Sequence, residues 1–272
     1  MSGSVANTEP FAGARETRHA AGGESDSIGD RMDLPGRGIR GGLRWENAMR
    51  FPDVMRNASS IVSLLRRLRT VGETSDPAEL IAISQGCRAI DPYQVTSELV
   101  ELAKLVKDLD CQALLEIGTY KGGTLFVFAR LAAASATVVS VDLPSSFRNR
   151  VAWLIRRPLL RRIVRRGQRL ILIRRDSHRA ATLARVEAEL QGRKLDFLFI
   201  DGDHSYEGVK QDFAMYSPLV RAGGVVAFHD IAVDIPICRV QRFWEEIKVQ
   251  YTHKEFKDAT GSFRPGIGVL WV

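Results

Sequence analysis

Leu195-Asp-Phe-Leu-Phe-Ile-Asp-Gly-Asp-His-Ser-Tyr-Glu-Gly-Val209 decides how this chain is read. An apolar run of strand length ends abruptly at Asp201, and a second carboxylate and an imidazole follow at Asp203 and His204. Such groups are costly to place at the tip of a buried strand, so they point to chemistry rather than packing. A second apolar strand, Val225-Val-Ala-Phe228, ends in His229-Asp230. Neighbouring strands lie about 4.8 Å apart. If these two are neighbours, Asp201, His229 and Asp230 converge on one cation, with His204 beside it.

Working outward, strands alternate with helices. Val95 to Lys107 reads as a helix, Ala113 to Ile117 as a strand, Thr124 to Ala134 as a helix and Val138 to Val141 as a strand. Leu170 to Ile173 is the next strand, Ala180 to Leu190 a helix, Leu195 to Ile200 a strand and Tyr206 to Val220 a helix. Val225 to Phe228, a helix over Val240 to Tyr251 and a closing strand over Ile267 to Val272 complete the series. This pattern predicts an α/β domain, a mostly parallel sheet with helices on both faces, over residues 91–272. Residues 1–42 are rich in Gly, Ser, Ala and charge and read as a disordered or flexible tail. A helical extension follows over 43–90, where Ile61, Leu64, Leu65 and Leu68 recur at helical spacing with arginines between them. That helix packs either on the domain or on another subunit, which leaves a homo-oligomer open.

The chain has 272 residues, 45% of them hydrophobic, enough for one large domain with appendages. No apolar run reaches the length of a membrane span, and the first residues lack the pattern of a secretory signal. Cys87, Cys111 and Cys238 are far apart and form no CxxC pair, so three solitary buried thiols in a cytoplasmic protein are expected. The net charge of +7 is concentrated: Ser145 to Arg175 holds eleven arginines and no acid, which leaves the remainder at −4. This argues against a general nucleic-acid surface and for a local anionic partner.

The basic insertion, residues 145–168, follows the second strand. It reads as a lid over an anionic or bulky substrate, as an amphipathic helix in peripheral contact with an anionic membrane, or as a solvated face.

Three further strand ends carry polar groups. Leu114-Leu-Glu-Ile-Gly-Thr-Tyr-Lys-Gly-Gly-Thr124 places an acid on the strand and glycines at the turn and helix start. Glycines there let backbone approach a ligand, and the helix N-terminus supplies free amides. The spacing departs from GxGxxG, because Tyr120 stands at the second glycine place. The second strand ends in Val141-Asp142, where an acid can accept both hydroxyls of a ribose or cap a turn. The third ends in Arg175-Asp-Ser-His178, which a capped turn explains equally well.

Glu116-x-Gly118-x-x-x-Gly122 resembles motif I of the class I S-adenosylmethionine-dependent methyltransferases. Phe199-Ile-Asp-Gly-Asp-His204 resembles the metal-dependent O-methyltransferases of the catechol and caffeoyl-CoA type. The longer string through Val209, with Gly223-Gly-Val-Val-Ala-Phe-His-Asp230, looks like the bacterial branch that methylates sugar hydroxyls on macrolides, aminocoumarins and rhamnosyl groups, a branch that includes cephalosporin-hydroxylase-like proteins. The resemblance covers roughly residues 91–272. It implies a doubly wound, Rossmann-like fold with a seven-stranded sheet, one strand more than the pattern locates. It implies O-methyl transfer to a hydroxyl of a sugar or other small natural product. The cofactor would be held by Glu116, Gly118, Thr119, Tyr120, Gly122 and Asp142, with Asp176, Ser177 and His178 around the adenine and Asp201 at the reacting end.

In that family the aspartate at the place of Asp201 binds magnesium, a lysine at the place of His204 acts as base, and an Asp-Asn pair stands where this chain has His229-Asp230. The metal ligands implied are therefore Asp201, His229 and Asp230, and the catalytic residues His204 and Asp201. His229 softens the site, since magnesium prefers oxygen and imidazole suits zinc, manganese or iron. Either His229 is not a ligand, the metal is not magnesium, or the site works without one. Magnesium or manganese on Asp201 and Asp230 is expected, with water completing the shell and His204 as a base of ordinary pKa near 6.5. Asp203 and Ser205 are expected to cap the helix from Tyr206, and His253 to be a surface residue. A hydroxylase-like enzyme and a non-catalytic module that binds a membrane or acidic partner through the insertion are the rival readings. The enzymatic reading requires that the glycine turn and the acid-imidazole cup share one edge of the sheet.

Overall fold

The structure is a computed structural model that describes residues 51–70, 76–143, 157–258, 260 and 265–272. The tail expected over 1–42, the start of the helical extension and the first half of the basic insertion, residues 145–156, lie outside these residues. The elements run α1 (Phe51–Thr70), α2 (Pro77–Gln85), α3 (Thr96–Asp108), β1 (Ala113–Ile117), α4 (Gly123–Leu131), β2 (Thr137–Val141), α5 (residues 157–163), β3 (Arg169–Ile173), α6 (Ala180–Leu190), β4 (Leu195–Ile200), α7 (Tyr206–Tyr216), β5 (Val220–His229), α8 (Val240–Ile247), β6 (Thr252–Phe256) and β7 (Ile267–Trp271).

The strands form one seven-stranded sheet in the order β3-β2-β1-β4-β5-β7-β6. β1 to β5 are parallel, and β7 runs antiparallel to both β5 and β6. Both faces are covered, so alternate residues of one strand enter different cores. Phe197 and Phe199 pack with Phe128 of α4, at ring distances of 5.1 and 5.4 Å. Leu198 and Ile200 join Val209, Phe213, Phe243 and Trp244 on the other face. Each fully buried phenylalanine contributes about 1.5–3 kcal/mol by removal from water. Ile61, Leu64, Leu65 and Leu68 pack on the first of these cores, so α1 lies on its own domain.

Differences from the sequence pattern have local causes. α7 ends at Tyr216 because Pro218, in the short 3-10 turn Ser217–Leu219, lacks the N–H that would continue it. β5 starts at Val220, earlier than Val225, and carries Gly223 and Gly224 within it. The pattern locates no strand at β6, whose Thr252-His-Lys-Glu sequence is mostly exposed at the sheet edge. α2 is set by Asp76, which caps the helix by accepting from Ala78 N at 3.0 Å, and by Pro77 at its first position.

The sequence passes from β3, on one side of β1, to β4 on the other. In such open sheets the crevice where the strand order reverses is where ligands bind, outside the carboxyl ends of the strands. Here that crevice lies after Ile117 and Ile200, which are register partners. Among the described residues, no helix is long and apolar enough to cross a membrane.

Candidate active site

Gly118 and Asp201 follow the two register partners. Asp201 N donates to Ile117 O at 2.8 Å and Gly118 N donates to Val141 O at 2.9 Å. Gly118 has φ +87°, and a Cβ there would stand 2.0 Å from the Asp201 carbonyl oxygen. Only glycine satisfies both the left-handed backbone and the close approach. The turn continues with Thr119 N donating to Asp142 Oδ1 at 3.3 Å, while Arg174 Nη1 donates to Asp142 Oδ2 at 3.1 Å. Two arms thus orient the Asp142 carboxylate at the tip of β2. Gly122, the residue before α4, faces Leu160 of α5, whose side chain would stand 2.5 Å from a Cβ at that position. The described part of the insertion therefore packs against this turn with its leucines, while Arg157, Arg161, Arg162 and Arg166 are exposed. Tyr120 is exposed and has φ +47°.

Glu116 is fully buried on β1 and accepts a short hydrogen bond from the Thr124 hydroxyl. Burial pushes its carboxyl up to about 8, against the lowering effect of the Thr124 and Thr119 hydroxyls. It ties α4 to the strand, and its Oε2 is buried without a hydrogen-bond partner among the described residues. The Asp176-Ser177-His178 segment is a built turn. Asp176 Oδ1 accepts from His178 N at 3.0 Å, the Tyr216 hydroxyl donates to Ser177 O at 2.7 Å, and His178 Nε2 lies 3.2 Å from the buried Asp212 Oδ1. Asp176 and His178 are thereby tied to the turn and to α7.

The acid-imidazole cup is assembled by β4, β5 and the start of α7. His229 Nδ1 lies 3.2 Å from Asp201 Oδ1 and 3.3 Å from Asp230 Oδ1. His204 spans the same two acids, with Nε2 at 3.4 Å from Asp201 Oδ1 and Nδ1 at 3.1 Å from Asp230 Oδ2. Asp230 has φ +62°, a left-handed conformation that a non-glycine residue adopts at some cost, and the bend holds its carboxylate between the two imidazoles. Ser205 caps α7 by accepting from Gly208 N at 3.0 Å, as expected, while Asp203 accepts instead from Ser205 N at 2.9 Å, just outside the helix.

The contacts shift the charge equilibria of Asp201, His229 and His204. Burial opposes ionisation of Asp201, but the His229 charge and hydrogen bonds from both imidazoles outweigh it and hold the carboxyl at about 2. Burial likewise opposes a charged His229, yet Asp201 and Asp230 push it up to about 10. The Asp201 hydrogen bond raises His204, against burial. Opposite charges in a low-dielectric site stabilise each other in this way.

Asp201, His229 and Asp230 offer ligand atoms within 4.8 Å of one another, and His204, Asp230 and Cys238 form a second such group. His229 Nε2 is buried without a hydrogen-bond partner among the described residues. Two carboxylates and one imidazole fit a divalent cation of mixed oxygen and nitrogen preference better than one that demands oxygen alone.

Several participants carry no motif. Gln94 Nε2 donates to Asp201 Oδ2 at 2.7 Å across 107 residues of sequence. Glu98 of α3 accepts from Asp258 N at 2.9 Å and Gly266 N at 3.2 Å. Only the proline at 92 hints at a turn there. Cys238 is buried, as are Cys87 and Cys111. His253 is exposed on β6, as expected.

Residues 115–231 match the family model of a methyltransferase domain. That methyltransferase match takes in the glycine turn, Asp142 and the whole cup, and it spans less than half of the chain. Two curated relatives are uncharacterised proteins. One, from Sinorhizobium fredii, is 24% identical over 168 residues, 61% of this chain and 18% of that protein. The other, from Acanthamoeba polyphaga mimivirus, is 30% identical over 122 residues, 43% of this chain and 50% of that protein. The matched parts thus span no more than half the length of either relative. Among solved structures, the O-methyltransferase from Bacillus cereus in complex with SAH has a TM-score of 0.53 at 18% identity, over 79% of this chain and 91% of that one. The O-methyltransferase TomG from Streptomyces achromogenes, involved in tomaymycin synthesis and solved with SAM, has a TM-score of 0.52 at 17% identity, over 80% of this chain and 97% of that one. At such identities the likeness is one of fold, and the fold is the Rossmann-like one of methyltransferases.

Proposed function

We propose that this chain is an S-adenosylmethionine-dependent O-methyltransferase that acts on a hydroxyl of a sugar or other small natural product. The observation that carries the reading is the contact of Gly118 with Asp201, which joins the glycine turn and the acid-imidazole cup in one crevice. The methyltransferase domain match and the O-methyltransferase neighbours support the donor and the reaction class. The sugar or natural-product acceptor rests on the sequence resemblance.

The donor supplies a methyl group already activated by its sulfonium. What remains for the protein is to hold an acceptor oxygen in line with that methyl, which orientation alone favours by several kcal/mol. The backbone of Gly118 and Thr119 and the carboxylate of Asp142 would bind the donor. His204 would take the acceptor hydroxyl's proton at Nε2 once the acceptor displaces the longer 3.4 Å contact to Asp201, while Asp230 holds Nδ1 at 3.1 Å. Asp201 and Asp230, with an imidazole, would hold a divalent cation, which would lower the pKa of a hydroxyl bound to it. The exposed arginines of α5 suit an anionic group on the acceptor or an anionic surface.

Calorimetry with S-adenosylhomocysteine, with and without magnesium or manganese, tests this, together with labelled methyl transfer to a panel of deoxysugar glycosides. Binding of the nucleotide and cation-stimulated transfer are expected. Absence of nucleotide binding overturns the reading. Transfer that EDTA leaves unchanged removes the cation from it.

A further inference from the structure

Cys238 reaches the cup from outside every motif. It lies in a tight hairpin after β5, where Ile235 and Cys238 exchange both backbone hydrogen bonds at 2.9 Å. The next residue, Arg239, donates its backbone N–H to His204 O at 2.7 Å, which ties the hairpin to the segment that carries His204. Asp234 pairs with Arg239 at 2.6 Å and with Arg242 at 3.2 Å, and so braces the hairpin. Cys238 is 5% exposed. Its Sγ, a His204 ring nitrogen and an Asp230 carboxylate oxygen lie within 4.8 Å of one another.

The three donors differ in kind. Thiolate, imidazole and carboxylate suit zinc, whereas magnesium takes oxygen. Four-coordinate zinc, with bonds of about 2.0–2.3 Å, sets its ligand atoms about 3.3–3.8 Å apart. His204 Nδ1 and Asp230 Oδ2 stand 3.1 Å apart, so the sulfur is the arm that has to close. The His204 side chain is 39% exposed and gives an ion a way in. On its far side, His204 Nε2 faces Asp201 Oδ1 at 3.4 Å, and Gln94 Nε2 donates to Asp201 Oδ2 at 2.7 Å. Metal-bound histidines almost always give their second ring N–H to a carboxylate, carbonyl or water, and here Asp201 stands in that place.

We propose that His204, Asp230 and Cys238 form a binding site for zinc or a similarly thiophilic divalent cation, and that its occupation switches off methyl transfer. The ion takes His204 Nδ1, Asp230 Oδ2 and the Cys238 sulfur, with water in the fourth place. As the metal–sulfur bond forms, the thiol proton leaves to solvent. With Nδ1 on the metal, the His204 proton sits on Nε2 against Asp201. That is the opposite tautomer from the one that accepts a proton at Nε2. The ion also draws Asp230 away from the Asp201-His229-Asp230 group. The site stands on its own geometry; its effect on transfer rests on the methyltransferase reading above.

The test uses the full-length chain, freed of metal by a chelator and titrated with cobalt(II), an optically visible substitute for zinc. The wild type is expected to show a thiolate-to-cobalt charge-transfer band that added zinc abolishes, and Cys238→Ser to lose that band. His204→Ala, at a partly exposed side chain, is expected to weaken zinc by at least the roughly 10–100-fold that loss of an outer-shell partner costs. Stoichiometric zinc is expected to lower labelled methyl transfer by the wild type about tenfold or more, and Cys238→Ser to need about tenfold or more additional zinc for the same loss. No band in the wild type, or a band that Cys238→Ser retains, overturns the site. Wild-type transfer at its full rate in stoichiometric zinc overturns the switch. Failure of S-adenosylhomocysteine to bind overturns the methyltransferase reading, while the cobalt spectrum still decides the site.

Discussion

Glu116 shows how one buried carboxyl can make stability depend on pH. The folded chain holds its proton up to about 8, whereas the ordinary value is 4.5. Between those values the folded state binds more proton than the unfolded state, so stability falls as pH rises through this window. Glu116→Gln removes that slope, and its thermal midpoint is expected to gain on the wild type as pH increases across the window. Parallel midpoints for the two proteins would place an ionised carboxylate on β1. At His204 the expectation concerns rate. His204→Ala should lower methyl transfer by about 100-fold or more, with S-adenosylhomocysteine affinity unchanged by calorimetry; wild-type turnover in that variant would remove its role as base. Both residues were legible in the sequence because each ends or lines an apolar strand. Gln94 was not, since its partner Asp201 is 107 positions away and only the fold brings them together.

At the scale of elements, β4 and α7 show what local pattern can reach. Their starts, Leu195 and Tyr206, follow from an apolar run and from the Ser205 cap. Ser205→Ala removes that cap and should cost about 1 kcal/mol, or about 2–4 °C in thermal midpoint at this size; calorimetric scans of the two proteins measure it. A larger effect would mean that α7 also holds the cup, through the neighbouring His204. β6 escaped the pattern because an edge strand with exposed side chains has no burial to impose alternation. The His178 turn and α7 interlock through Asp212 and Tyr216, a tertiary relation that their local sequences do not express.

Across the whole molecule the two edges of the sheet divide the work. The carboxyl edge gathers the glycine turn and the cup. At the opposite edge Asp196 Oδ2 accepts from Gln112 N at 2.7 Å and Ala113 N at 3.0 Å, while Arg221 donates to Oδ1 at 2.7 Å. One carboxylate thereby ties β1, β4 and β5 together. Asp196→Ala is expected to cost about 1–3 kcal/mol in chemical denaturation and to leave nucleotide affinity unchanged. Loss of nucleotide binding would show that the two edges are coupled.

By itself the sequence determined the class of fold and the acidic and imidazole groups at the strand ends, because alternation and burial act over short stretches of chain. The strand order, the meeting of Gly118 with Asp201, the shared bonds of His204 and His229, and the arrival of Gln94 were decided only by the tertiary structure. Those contacts join residues far apart in the chain, and no local pattern records which strands become neighbours.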